Sequence, residues 1–202
     1  MDTSTITILI LAVAVVLAIA VAVWFYMQKQ KTNRLRSKFG PEYNRAIRSE
    51  GDAKHAEQLL QERQKRVEKL NIRALNDGER NEFTEAWEQE QARFVDDPST
   101  AVSNADRLVQ RVMKARGYPV GDFEQRVADV SVDHPVVVQN YRVAHDIAAR
   151  GQNEKVSTEE LREAMIHYRA LFADLLHDGG VRPVRDVVVP DDNKAKARGA
   201  AR

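Results

Sequence analysis

The feature that most constrains this chain is an uncharged run near its N-terminus. Residues 6–26 read ITILILAVAVVLAIAVAVWFY, which is 21 residues without a charged side chain. As an α-helix this run would extend about 32 Å, enough to cross a hydrocarbon core about 30 Å thick. A helix also satisfies its own backbone hydrogen-bonding groups in lipid. The run predicts one transmembrane helix over residues 6–26, preceded by a short flank over residues 1–5.

A cleaved signal peptide is the alternative interpretation of the same run. Such a peptide begins with a positively charged region, whereas this chain begins MDTST, with Asp2 and no Lys or Arg. The apolar run is also longer than that of an ordinary signal peptide, although Ala20 and Ala22 could imitate a cleavage site. We therefore favour an uncleaved anchor.

Charge on one flank predicts the orientation of this anchor. The basic juxtamembrane segment, residues 27–38, contains basic side chains and no acidic one, and residues 1–5 contain no basic side chain. The positive-inside rule then places the N-terminus outside and the rest of the chain in the cytoplasm. Aromatic and basic side chains favour the interface with lipid headgroups. The predicted membrane-interface residues are Trp24, Tyr26, Lys29, Lys31, Arg34, Arg36 and Lys38.

A stripe of small residues within the run raises the question of self-association. Ala14, Ala18 and Ala22 recur every four residues, which would let a second helix approach closely. Alanine is also simply common in this run, so pairing through the stripe is an expectation that competes with a plain lipid-facing helix.

Beyond the anchor, apolar residues return at helical spacing and predict a helical domain over residues 39–178. We predict helix starts at Pro41, Asp52, Asn76, Asp97 and Ser157, of which Asn76 and Ser157 have Glu three residues later. Glycines at 51, 117 and 151 are predicted to end helices. Residues 179–202 are rich in Gly, Pro and charge and predict a disordered tail. The expected fold is all-α: a transmembrane helix, a small multi-helix bundle and this tail.

Composition and motifs argue against several kinds of chemistry. The chain has no Cys and a formal net charge of +1, so we expect no thiolate site and no nucleic-acid partner. The histidines do not form H-E-x-x-H, and no phosphate-binding or nucleophile-elbow glycine motif occurs. We predict no metal, no cofactor and no enzymatic activity.

The most unusual stretch is residues 115–135, which read ARGYPVGDFEQRVADVSVDHP. We interpret it as a bend between helices, in which Asp133 caps the following helix and His134 lies exposed in its first turn. His145 is expected on an apolar face beside Tyr141. Candidate interaction or ligand residues in the domain are Trp87, Tyr118, Asp133, His134, Tyr141, His145 and Tyr168.

Several segments together resemble a family of uncharacterised bacterial single-pass membrane proteins. These segments are LRSKFGPEYNRAI, RQKRVEKLNIR, ARGYPVGDFEQR and VDHPVVVQNYRVAHDIA, and the GYPVGDFEQR…SVDHP run is the most specific. The resemblance implies an N-terminal anchor, a helical domain and a bacterial inner-membrane location. It implies no activity, ligand or catalytic residue.

Two functions fit these expectations. The first is a membrane-anchored interaction or scaffold module that binds membrane lipid and other proteins at the bacterial inner membrane. The alternative is a small-molecule sensor attached to the membrane, with a ligand held among Trp87, Tyr118, Tyr141 and Tyr168.

Overall fold

A computed structural model describes residues 3–153 and 156–177 and confirms the all-α prediction. Within these residues the chain forms eight helices: α1 (Thr3–Phe39), α2 (Pro41–Glu50), α3 (Ala53–Val67), α4 (Asp77–Arg93), α5 (Pro98–Arg116), α6 (Phe123–Asp133), α7 (Val138–Asn153) and α8 (Thr158–Leu176). The predicted disordered tail, residues 179–202, lies outside the described residues.

The long N-terminal helix α1 has two different surroundings along its length. Among the described residues it is the one helix long and apolar enough to cross a membrane, over Val13–Phe39, and none of its most apolar 18-residue window is buried. The basic segment, residues 27–38, continues the same helix without a break. At its end Leu35 and Phe39 are buried in the protein. The apolar helix is therefore continuous with the core of the helical domain.

The buried side chains form two clusters. The proximal cluster joins the end of α1 to α2, α3 and α6 and consists of Leu35, Phe39, Tyr43, Ala46, Ala56, Leu60, Val67 and Val132. The larger distal cluster is built from α4 to α8, in which α8 packs against both α5 and α7. Ile72, in the linker between α3 and α4, packs against both clusters.

Ion pairs to buried carboxylates cross between the helices of the two clusters. The carboxylate of Glu42 in α2 accepts two hydrogen bonds from Arg142 in α7, at 2.5 and 2.9 Å, and Arg63 lies 3.7 Å away. Arg66 in α3 donates to the buried Asp129 in α6 at 2.8 Å. Buried pairs add little net stability, but loss of one partner leaves the other charge uncompensated at a cost of about 3–5 kcal/mol. These pairs therefore fix how α2 and α3 sit against α6 and α7.

Most of the predicted helix ends are confirmed. The side chains of Asp52 and Asp97 accept from the backbone N–H groups of His55 and Thr100. The capping boxes Asn76–Glu79 and Ser157–Glu160 form with both of their hydrogen bonds. Gly51 and Gly117 take left-handed backbone conformations after α2 and α5, at φ 71° and 97°.

Three local predictions are wrong. Asp133 caps no following helix, because it is the last residue of α6 and α7 begins only at Val138. His134 is 2% exposed and not in a solvated first turn. Gly151 does not end α7, which continues to Asn153.

Candidate functional site

The loop after α5 and helix α6 together place two predicted candidates, Tyr118 and Asp133, in direct contact. The hydroxyl of the buried Tyr118 donates to Asp133 Oδ2 at 2.7 Å. Burial, and then the hydrogen bond to the Asp133 carboxylate, raises the pKa of Tyr118 well above its usual range. The hydrogen bond from the neutral Tyr118 hydroxyl to the Asp133 carboxylate joins the loop after α5 to the end of α6. Asp133 therefore has a structural partner although it caps no helix.

His134 lies between the carboxylate of Asp174 and the guanidinium of Arg116. Its Nδ1 lies 2.5 Å from Asp174 Oδ2, and its Nε2 lies 3.5 Å from Arg116 Nη1, which also donates to the carbonyl of Leu175 at 2.8 Å. Since a guanidinium can only donate, Nε2 is assigned as the acceptor and Nδ1–H as the donor to Asp174. A catalytic His–Asp pair would present Nε2 to a nucleophile. Here Nε2 faces Arg116, so the arrangement fastens the bend to the end of α8.

Tyr141, Tyr168 and His145 lie around the carboxylate of Asp106. Tyr168 donates to Asp106 at 3.1 Å, and His145 Nδ1 lies 3.9 Å from the same carboxylate. The hydroxyl of Tyr141 instead accepts from Arg126 Nε at 3.0 Å, and burial raises the pKa of Tyr141 to about 12. Each polar group therefore has a partner within the protein.

His145 differs from the core histidine that its spacing predicts. Its side chain is 31% exposed, and its ring stacks on Phe123 with centroids 3.7 Å apart. Burial raises the pKa of Asp106, but the neighbouring His145 and hydrogen bonds from Tyr168 and Gln110 outweigh burial, so this pKa lies below its usual value. Asp106 was not singled out in the sequence, because the partners that identify it are 39 and 62 residues away along the chain.

The predicted membrane-interface residues lie on the outer surface of α1. Trp24 and Tyr26 are exposed, as are the side chains of Lys29, Lys31 and Arg34. Lys38 is half-buried, and the guanidinium of Arg36 lies 5.1 Å from the centre of the Tyr43 ring. Ala14, Ala18 and Ala22 are all exposed. Pairing through these alanines stays a prediction.

Trp87, the remaining candidate, borders a cleft between α4 and α8. The cleft has a volume of about 170 Å³ and is lined by Trp87, Gln91, Phe94, Arg162, Met165, Ile166 and Arg169. We call this surface the α4–α8 cleft. Trp87 is 5% exposed and stacks on Phe172 with centroids 4.8 Å apart. Its indole Nε1–H is buried and has no hydrogen-bond partner within the described residues.

The polar groups of the α4–α8 cleft are biased toward hydrogen-bond donors. Arg162 uses its Nε and one Nη to hold Glu159, which leaves its other Nη free of that pair. Arg169 is exposed and makes no hydrogen bond or ion pair among the described residues. No acidic side chain lines the cleft. The arrangement suits a ligand that combines an apolar group with hydrogen-bond acceptors.

Most of the cleft residues escaped sequence reasoning. Met165 and Tyr168 lie on the buried face of α8, but Ile166 lies off that face and is 51% exposed. An isoleucine outside the apolar stripe is the one local signal that this side of α8 faces something other than the core.

Comparison with known protein families, with curated proteins and with solved structures finds no match. Among the described residues, no group of three or more His, Asp or Glu side chains is arranged to hold a metal ion.

Proposed function

We propose that this chain is a membrane-anchored helical interaction module, not an enzyme, located at the bacterial inner membrane. In this proposal α1 crosses the membrane with its N-terminus outside, and α2 to α8 form a cytoplasmic domain that binds other proteins. The resemblance to bacterial single-pass membrane proteins, carried by four segments between Leu35 and Ala148, supports the location. The basic segment, residues 27–38, supports the orientation.

One observation carries the proposal: α1 continues unbroken from an exposed apolar surface into the proximal cluster. No part of the chain that the structure describes covers the exposed Leu17, Val21 and Phe25, and a large exposed apolar surface indicates a membrane or a partner. Leu35 and Phe39 of the same helix are buried against α2 and α3. A helix with one end shaped for lipid and the other for the domain core supports a retained anchor over a removed signal peptide.

The interaction role is favoured over the sensor by the size and chemistry of the candidate sites. Pockets for drug-sized molecules occupy about 300–1,000 Å³. The α4–α8 cleft, at about 170 Å³, is closer to the size of a single large side chain. Trp and Arg, which line it, are also the residues that dominate protein interfaces. Tyr118, Tyr141 and Tyr168, the other proposed sensor residues, bind groups within the protein.

Topology is tested by reporter fusions to the full chain at its C-terminus. We expect activity from a cytoplasmic reporter and none from a periplasmic phosphatase. A matched variant with Lys29, Lys31 and Arg34 replaced by Gln should weaken this bias, because these exposed charges set the orientation. Periplasmic activity from the unmodified chain would contradict the proposed orientation.

Retention of the anchor and binding of partners need separate measurements. The intact mass of the protein purified from membranes should correspond to the uncleaved chain. Affinity capture of the full chain from detergent-solubilised membranes should return the same partners in repeated experiments. A cleaved chain would refute the anchor, and the absence of any specific partner under several conditions would count against the interaction module.

A further inference from the structure

Within the described part of the helical domain, the α4–α8 cleft brings a buried polar group without a partner together with exposed apolar side chains. Its walls are the rings of Trp87 and Phe94 and the side chains of Met165 and Ile166. Val95, the residue after Phe94, is 83% exposed. Trp87 and Met165 form the nearly buried floor of the cleft, whereas Ile166 is 51% exposed, and exposed apolar side chains beside a concave surface are found at binding surfaces.

The indole of Trp87 adds a specific polar requirement. A buried N–H group without a partner costs about 1–3 kcal/mol, so such groups are rarely left unsatisfied in native proteins. Trp87 Nε1 is in this state, although its ring is well packed on Phe172. Because Trp87 also lines the cleft, a shift of its ring on binding would let an acceptor of the bound group satisfy this N–H.

The charges around the cleft indicate which acceptor is expected. Arg162 and Arg169 stand on the same side of α8, one above the other, since residues seven apart lie on one helical face. Glu159 orients Arg162 while leaving donors available, and Arg169 has no partner within the described chain. Arginine forks match carboxylates geometrically as well as by charge.

We propose that the α4–α8 cleft binds a short segment of a partner protein that presents an apolar side chain flanked by carboxylates. The apolar side chain lies against Trp87, Met165 and Ile166, and the carboxylates meet Arg162 and Arg169. This inference rests on the proposed interaction module and names the chemistry of its partner. It commits to a peptide because the cleft accommodates about one side chain and both arginines lie at its border.

The test uses the full chain in detergent micelles and a fluorescent peptide with a Leu-Phe pair flanked on each side by two Asp. Binding is measured by fluorescence anisotropy, with a Lys-flanked peptide and a peptide in which Ser replaces the apolar pair as comparisons. We expect saturable binding of the acidic apolar peptide and at least about tenfold weaker binding of both comparison peptides, from lost charge pairing in one and lost apolar burial in the other.

Variants assign the binding to the cleft. Arg169→Glu should weaken the acidic peptide about tenfold, because it removes one favourable charge and introduces a repulsive one. The matched control is Arg45→Glu on α2, an exposed arginine that also has no partner among the described residues and changes the net charge equally. It should leave binding within about twofold. Trp87→Phe, which keeps an aromatic ring and removes the indole N–H, should also weaken the acidic peptide.

Several results would overturn the assignment. Equal binding of the Lys-flanked peptide, equal loss in Arg45→Glu and Arg169→Glu, or no binding at about 1 mM peptide would each do so. Sedimentation with phosphatidylglycerol vesicles that depends on Arg169 and is not reduced by the peptide would show that the cleft binds lipid instead. If the peptide fails while membrane capture still returns specific partners, the cleft assignment is wrong and the interaction module stands. If both fail, the proposed function is wrong as well.

Discussion

Gly117, between α5 and the bend, is the position where a single methyl group should cost most. Its φ is 97°, a conformation that L side chains rarely adopt. A Cβ added there would lie 2.4 Å from the carbonyl oxygen of Asn71 and 3.1 Å from its carbonyl carbon. The neighbouring backbone is also engaged, because the N–H of Arg73 donates to the carbonyl of Arg116 at 2.9 Å. The methyl group therefore meets backbone that is held in place.

The expected cost of Gly117→Ala follows from two separate terms. The left-handed conformation costs an L residue about 1–2 kcal/mol. Forcing extra volume into packed structure typically costs about 1–3 kcal/mol more. The sum is about 2–5 kcal/mol of the free energy of unfolding. Gly51→Ala is the matched control, because Gly51 has φ 71° and no atom within 4 Å of an added Cβ. Gly51→Ala should show only the cost of the left-handed conformation.

The assay is urea unfolding of the full chain in detergent micelles, followed by the fluorescence of Trp87. The chain has two Trp residues, so a Trp24→Phe background leaves Trp87 as the sole reporter. Gly117→Ala should lower the free energy of unfolding by at least about 1 kcal/mol more than Gly51→Ala does. Equal losses would refute the reasoning, since they would mean that the linker between α3 and α4 does not lie against Gly117.

Two further predictions concern buried polar groups. His134→Ala should lower the free energy of unfolding by about 2–3 kcal/mol, because it removes a buried ring and the acceptor facing Arg116. A loss under about 0.5 kcal/mol in urea unfolding would instead indicate that His134 is exposed, as the sequence predicts. Asp106, whose pKa lies below its usual value, contributes stability that is present above about pH 4 and is lost as pH falls through its folded pKa. Unfolding measured at pH 7 and pH 3 should therefore show a smaller acid-induced loss in Asp106→Asn than in the unmodified chain, and identical losses would exclude this role.

The parts of the fold that were predictable are those encoded over a few neighbouring residues. Asn76 with Glu79 and Ser157 with Glu160 specify capping boxes within four residues, and both form. Gly117 at the end of an apolar stripe specifies a left-handed stop, and the backbone adopts it. Long apolar periodicity likewise predicted the all-α class. Each of these signals depends on local geometry that tertiary packing did not override.

The parts that were not predictable depend on partners distant in the chain. Aspartate is common at helix N-caps, which is why Asp133 is predicted to be one. In the structure Tyr118 donates a hydrogen bond to Asp133, and the next helix begins only at Val138. His134 is buried because the end of α8, some 40 residues later, covers it with Asp174. The α4–α8 cleft requires two helices whose facing residues are separated by most of the domain. A sequence pattern does not report such pairings.

The unbroken course of α1 sets the height of the domain above the bilayer in the proposed arrangement. From Tyr26, at the predicted aromatic interface, to the buried Leu35 the helix rises only about 14 Å. A flexible linker of the same length as residues 27–38 would have a root-mean-square end-to-end distance of about 19 Å, so the domain could move over that range. A rigid helix instead holds it in a thin layer next to the headgroups, at a fixed tilt. Partners would then be met mainly by lateral diffusion, which favours proteins that are themselves confined to the membrane surface.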